Sequence, residues 1–387
     1  MVISEELLNI WITFRSHKYD ISDYYQIDPS FGTTEDLREL VQEAHKRGMK
    51  IVMDAVFNHT GREFFAFEDI MEKGEKSKYL DWYYIEKFPL ESERGEIPNY
   101  KCFGYYGGMP KLNLKNPEVE KFFTDVACYW IKECDIDGWR MDVGDEISHY
   151  FWKNFRRAVK AVKKDMLIIG EIWHYAGDFL EGDEWDTVMN YPFYLNMIDL
   201  LADEKIHVSQ FVQNLGYLKG RLNKKCYPLM WNLIDSHDTA RFLHLCNDNK
   251  KKQHLAAAFQ LLLPGMPMIY YGDEYAMPGA NDPDCRRGMY WDEEYQDKEM
   301  YEWYKRLIQV RKSHACIVEG ELAGSVTEDE EGTIVLIRKN GEETIAMIFN
   351  CSSSAKKFNE YTQKYNLLTE NTFDGNVEGF DAAVIVL

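Results

Sequence analysis

Short apolar, β-rich runs alternate along this chain with longer stretches of helical periodicity, and that alternation restricts the fold more than any other feature. The runs cover 8–13, 50–57, 137–143, 166–173, 187–191, 228–235 and 267–271. Helical patterns lie at 34–48, 117–134, 149–164, 194–203, 208–222 and 251–262. Strands that alternate with helices pair in parallel through right-handed crossovers. Runs that are apolar nearly throughout fit strands covered on both faces. An open doubly wound sheet and a closed TIM-type β/α barrel both satisfy this pattern. No GxGxxG follows an early strand, and the chemically conspicuous residues are spread over many strands. A barrel is therefore the expected fold.

The pattern changes near residue 318, where alternating strands begin. The segments Thr333–Arg338 and Thr344–Phe349 flank Asn340-Gly341, a hairpin signal. The expected organisation is a β/α barrel over 1–317 and a small antiparallel β-sandwich domain over 318–387. An inserted segment at about 60–116 carries Trp82, Tyr83, Tyr84, Tyr105 and Tyr106. Long insertions of this kind commonly help to build a site.

Charge and cysteine usage narrow the function. The formal net charge of −20, from 65 acidic and 45 basic residues, repels nucleic acid and anionic membranes and suits a neutral ligand. Tyr, Phe and Trp make up 14% of the chain. Most fill the core, and some are suited to stack on the C–H faces of sugar rings. The eight cysteines, at 102, 128, 134, 226, 246, 285, 316 and 351, form no CxxC pair or zinc pattern. Unpaired thiols and an acidic start without a leader pattern lead to the expectation of a cytoplasmic protein.

Three carboxylates close apolar runs: Asp142 after Gly138-Trp139-Arg140-Met141, Glu171 after Ile168-Ile169-Gly170, and Asp238 after Ser236-His237. Burying such a charge costs folding energy, so its presence at a strand end asks for a chemical reason. Two carboxyl groups astride a glycosidic bond cleave it, one attacking the anomeric carbon and the other protonating the leaving oxygen. A retaining pair stands about 5–5.5 Å apart, and its neighbours must favour opposite protonation states. Arg140, on the same strand face as Asp142, would keep that aspartate ionised and fit for attack. The apolar neighbours of Glu171 (Ile169, Ile172 and Trp173) favour its protonated form. Asp238, beside His237, is suited to bind substrate hydroxyls. Taken alone, Arg140–Asp142 reads equally well as an architectural buried ion pair.

The segments Asp54–His59, Gly138–Asp142, Glu171-Ile172-Trp173 and Ser236-His237-Asp238 resemble the four sequence blocks of the α-amylase family of glycoside hydrolases. A fifth segment, Met109-Pro110-Lys111-Leu112-Asn113, is similar to the signature of the neopullulanase, cyclomaltodextrinase and maltogenic amylase subfamily. His17-Lys18-Tyr19-Asp20, Asn190-Tyr191-Pro192, Tyr271-Gly272-Asp273-Glu274 and Asn281-Asp282-Pro283 agree with it. The resemblance implies a TIM barrel with Asp142 as nucleophile, Glu171 as general acid/base and Asp238 as transition-state stabiliser. It implies that Arg140, His59 and His237 surround the cleaved sugar and that Tyr19 stacks on its ring. Asp282 and Arg286 would contact sugars on the non-reducing side. Asp145, Glu146 and Trp173 would face the acceptor side. Calcium-dependent members hold the ion partly through an aspartate where this chain has Lys111, a poor neighbour for a hard cation. Asn58 matches another ligand position there, yet one amide oxygen is not a site. No cofactor is expected to be required, and a structural calcium is not supported.

Two departures from the family pattern carry expectations of their own. Val143-Gly144-Asp145-Glu146 stands where the subfamily has Val-Ala-Asn-Glu, which bears on the choice between water and sugar acceptors. Only Met1–Leu7 precede the run at 8–13, where relatives carry an N-terminal β domain and a first barrel strand and helix. Seven residues are too few for a strand plus a crossover, so seven barrel strands are expected. The open edge would be closed by another part of the chain, a rearranged N-terminus or a partner subunit. Relatives dimerise through that N-terminal domain, so any homo-oligomer here would use another surface. A shorter rim would leave a more open cleft, favouring bulkier or longer glucans over small cyclic ones. The favoured activity is retaining hydrolysis of α-1,4-glucosidic bonds in maltooligosaccharides, cyclodextrins, pullulan or starch. The alternatives are an α-glucan transferase and an inactive glucan-binding protein.

Overall fold

The computed structural model describes residues 3–5, 10–13, 17–91 and 98–387 and divides into two compact units. One unit comprises Leu7–Ile172 and Ala176–Val188. Its centre is a four-stranded parallel sheet in the order Val52–Ala55, Gly138–Met141, Leu167–Gly170, Thr187–Val188. The register sets Asp54 beside Arg140 and Arg140 beside Ile169. All four residues of Gly138–Met141 are buried, including the charged Arg140, whose guanidinium is met by carboxylates.

The helices of this unit start and stop where their sequence says. Thr33 and Asp36 form a capping box before Thr34–Lys46. Asn116 caps Pro117–Cys134, Pro117 opens its first turn, and Asp135 ends it in the left-handed region. Ser148 caps His149–Val162, whose Phe151, Trp152, Phe155 and Val159 face inward. Bridges His59↔Lys111, Tyr83↔Leu112 and Cys102↔Pro110 tie the inserted segment together. The run at 8–13 is corrected: its described part, Trp11–Thr13, pairs antiparallel with Ile21–Ile27 rather than joining the parallel sheet. Register shifts interrupt this ladder, so Ile21, Tyr24 and Ile27 are buried at intervals of three rather than two.

The other unit comprises Met1–Glu6, Trp173–Tyr175 and Met189–Leu387. Here Met266–Tyr270 lies between Trp231–Asn232 and Ile3–Glu5, all parallel. Met189 bridges to Trp231. Ile3–Glu5 runs along Met268–Tyr270, an arrangement of the N-terminus of the kind allowed among the three expected ways of closing the edge. Helices Val208–Arg221, Lys250–Leu262 and Lys298–Ser313 belong to this unit.

The same unit carries a six-stranded antiparallel sheet ordered Glu321–Glu328, Thr333–Asn340, Glu343–Asn350, Asp381–Val386, Tyr365–Asn366, Asn371–Thr372. Alternation in Glu343–Asn350 supplies two cores. Ile345, Met347 and Phe349 point to one, with Phe349 stacked 4.2 Å from Phe259 of Lys250–Leu262. Ala346 and Ile348 point to the other, with Phe358, Phe373 and Val377. The expected hairpin is present, one residue later than read. Asn340 pairs with Glu343, and Gly341 takes the positive φ of 61°.

Candidate active site

In the first unit the strand register gathers acidic side chains on one guanidinium. Nη1 of Arg140 donates to Oδ1 of Asp142 at 2.8 Å and to both oxygens of Asp54 at 3.0 and 3.1 Å. Nη2 of Arg140 stands 3.0 Å from Oε2 of Glu171. Asp142 and Glu171, on the ends of neighbouring strands, therefore meet across a single buried arginine. Burial opposes the Arg140 charge. The carboxylates of Asp54, Glu171 and Asp142 overcome it, with Tyr19 contributing, and raise the pKa well above the arginine norm.

The backbone adds a second hold. Val143 N donates to Oε2 of Glu171 at 2.9 Å from a left-handed conformation, φ 46°. A β-branched residue there is an outlier costing on the order of 1–3 kcal/mol. Glu171 is thus not enclosed by apolar groups alone, as its sequence neighbours suggested: one oxygen is engaged by Arg140 and Val143. The sequence could not show this, because it requires knowing which strands are adjacent.

Gly144 and Gly170 flank the two carboxylates in sequence, and both lie against Trp185. A Cβ on Gly170 would come 2.2 Å from that indole, and one on Gly144 would come 2.7 Å from it. The glycine at 144 leaves room for this ring.

Tyr19 is buried and donates its hydroxyl to Oδ2 of Asp54 at 3.0 Å. His59 is fully buried, and its Nε2 lies 3.0 Å from the Tyr19 carbonyl. Burial lowers the His59 pKa from 6.5 to about 3 against the pull of that carbonyl, with Lys111 adding to the lowering. The ring is therefore neutral at physiological pH.

Asp145 and Glu146 are exposed in the turn Gly144–Glu146. The Glu146 carboxylate is not open, however: Lys111 Nζ donates to its Oε2 at 2.8 Å, to its backbone carbonyl at 3.3 Å, and to Oδ1 of Asn58. An ammonium thus sits among the oxygens a cation would need, and this residue set does not fit calcium. Among the described residues, no group of three or more His, Cys, Asp or Glu could hold a metal.

In the second unit His237 and Asp238 follow Ser236, whose hydroxyl accepts from Asp238 N at 3.2 Å. Nε2 of His237 is 3.2 Å from Oδ2 of Asp238. Arg286 joins this group, with Nε 3.0 Å from the His237 carbonyl and 2.9 Å from Oδ1 of Asp282. Its Nη2 is 3.4 Å from Oδ1 of Asp238. Four of the expected residues therefore form one cluster.

Trp173 is 41% exposed and stacks at 4.0 Å on buried Tyr191, whose hydroxyl meets Ser236 at 3.1 Å. The same unit holds a buried group that was not among the expected site residues. Arg241 pairs with Asp273 at 3.2 Å and lies over Tyr270. Burial, then the Asp273 charge, pushes the Asp235 carboxyl far above the usual range. Asp54, which sits inside the apolar run at 50–57, was not among the expected site residues.

The chain is a TIM-barrel protein with a C-terminal antiparallel sheet. More particularly, the family model described as the alpha amylase catalytic domain matches residues 9–320, and the chain belongs to that family. It is 46% identical over 340 residues to a cyclomaltodextrinase of Geobacillus thermopakistaniensis (strain MAS1), covering 88% of this chain and 58% of that protein. It is 44% identical over 335 residues to neopullulanase 2 of Thermoactinomyces vulgaris, covering 86% and 57%. The chain thus spans less than two thirds of the length of these relatives. A solved cyclomaltodextrinase structure aligns with a TM-score of 0.92 and 38% identity over 97% of this chain and 67% of the other.

Proposed function

We propose that the chain is a retaining hydrolase of α-1,4-glucosidic bonds in maltooligosaccharides, cyclodextrins, pullulan or starch. The observation that carries this reading is the attachment of Asp142 and Glu171 to two nitrogens of one buried arginine. A carboxylate nucleophile and a carboxylic acid must face a single acetal, and a shared guanidinium holds both toward one small volume. Asp142 attacks the anomeric carbon as its bond to the leaving oxygen breaks. Glu171 gives that oxygen a proton. Because Oε2 of Glu171 accepts from Val143, the acidic proton belongs on Oε1. Water then attacks the glycosyl ester, with Glu171 as base, and frees Asp142 with net retention.

Asp238, His237, Asp282 and Arg286 are assigned to binding the sugars, with Asp238 favouring the distorted ring. The catalytic part is assigned to 1–317 and the sheet domain to 318–387. Eight cysteines, all free thiols, support a cytoplasmic location. The exposed Trp173 platform favours a second outcome, transfer to a sugar acceptor at high substrate concentration. Incubation with maltotriose, pullulan and β-cyclodextrin, followed by chromatography and proton NMR, tests the reading. The expected result is shortened glucans released first as the α-anomer. Release of the β-anomer, or no cleavage of any of the three, would contradict it.

A further inference from the structure

We infer that Tyr217, braced by Arg221 and Tyr175, forms a distal platform for the reducing-end part of an α-glucan, an inference that rests on the glucan reading above. Tyr217 is 66% exposed, yet its ring is held. Arg221, one turn later on Val208–Arg221, donates Nη1 to the Tyr217 hydroxyl at 3.0 Å. Its guanidinium lies 5.3 Å from the Tyr217 ring centroid and 4.0 Å from that of Tyr175. The Tyr175 hydroxyl in turn donates to the Arg221 carbonyl at 2.8 Å. An exposed ring ordered before binding loses less freedom when a ligand arrives.

The ground beside it is clear. Positions 216 and 220 are glycines, and a Cβ on either would meet nothing within 4 Å. Each glycine costs a helix about 0.5–1 kcal/mol relative to alanine, so helix stability does not explain the pair. Trp173, two residues before Tyr175 in the chain, offers a second exposed ring in the same unit, its indole stacked on Tyr191. An α-glucan offers C–H faces to aromatic rings and paired hydroxyls to a guanidinium, and it carries no charge. A net charge of −20 disfavours an anion, and Arg221 disfavours a cation. A neutral polyol chain matches both.

The test compares Tyr217→Ala and Tyr217→Phe with the unaltered full chain. Calorimetric titration of maltoheptaose is done in a Glu171→Gln background, and kcat/KM is measured for maltotriose and maltoheptaose without it. Tyr217→Ala is expected to weaken maltoheptaose binding and kcat/KM about 3- to 10-fold, leave maltotriose within about twofold, and be largely rescued by phenylalanine. Unchanged maltoheptaose binding, or equal losses on both substrates, would overturn the platform. If the unaltered chain cleaves neither substrate while Tyr217→Ala still weakens binding, the hydrolase reading falls and the platform stands.

Discussion

Replacing Gly170 with alanine adds one methyl group immediately before Glu171, and the structure says where it would go. The new Cβ would lie 2.2, 2.4 and 2.6 Å from Cε3, Cζ3 and Cδ2 of Trp185. That indole cannot retreat easily. It is 1% exposed, stacked 4.1 Å from Phe179 and packed 5.8 Å from Trp152. Where space allows, Gly→Ala stabilises by about 0.4–1 kcal/mol through the unfolded chain. Overpacking of a filled core costs typically about 1–3 kcal/mol, so Gly170→Ala is expected to be destabilising overall. Urea unfolding followed by circular dichroism measures the loss. Trp185→Phe removes Cε3 and Cζ3, the two atoms the methyl group approaches most closely, so the double variant should recover at least about 1 kcal/mol relative to the sum of the single variants. A Gly170→Ala protein as stable as the parent, or additive effects in the double variant, would refute the packing argument.

His59 stays neutral in the folded protein down to about pH 3, whereas an unfolded histidine takes a proton near 6.5. Above pH 7 it contributes no pH dependence; from about pH 6 down to 3 it should remove about 1.4 kcal/mol of stability per unit, since the unfolded state binds more protons. His59→Gln should flatten the acid limb by that slope, and an unchanged slope would contradict the burial argument. Lys111→Met, which strips the ammonium from Asn58 and Glu146, should cost roughly 1–3 kcal/mol in urea unfolding. A chelator should leave the parent's unfolding midpoint unmoved, and a chelator-sensitive parent would refute the reading of that site. Asp142→Asn should abolish turnover while keeping glucan binding. Glu171→Gln should lose roughly 10²- to 10⁴-fold, most on poor leaving groups. Equal residual activity in both variants would overturn the division of roles.

Helices were read closely from the sequence because their ends are chemically marked. Residues 117–134 were expected and Pro117–Cys134 is found, bounded by Asn116 and Asp135. Residues 251–262 were expected, and Lys250–Leu262 follows the Asn249 cap. Strands were less legible, since apolar runs report burial and not ladder pairing. The run at 228–235 pairs only at Trp231–Asn232, although Leu233 and Ile234 remain buried as the backbone turns toward His237. Trp11–Thr13 reads as a barrel strand because nothing in 21–27 shows the period-two alternation of its true partner. The tie between Glu171 and Arg140 was invisible for a related reason. It depends on the register Arg140↔Ile169 across neighbouring strands, which no local pattern encodes. Asp142 and Arg140 needed no such information, being two residues apart on one face.

On the proposed mechanism Asp142 forms a covalent bond to the sugar while Glu171 handles the proton. The most direct measurement treats the Glu171→Gln protein with 5-fluoro-α-maltosyl fluoride, an activated substrate that needs no acid to leave and whose ester hydrolyses slowly. Peptide mass spectrometry of the digest then locates the label. A glycosyl adduct on Asp142 is the expected result. A label on Asp238 or Asp54, or turnover with no adduct at all, would contradict the account.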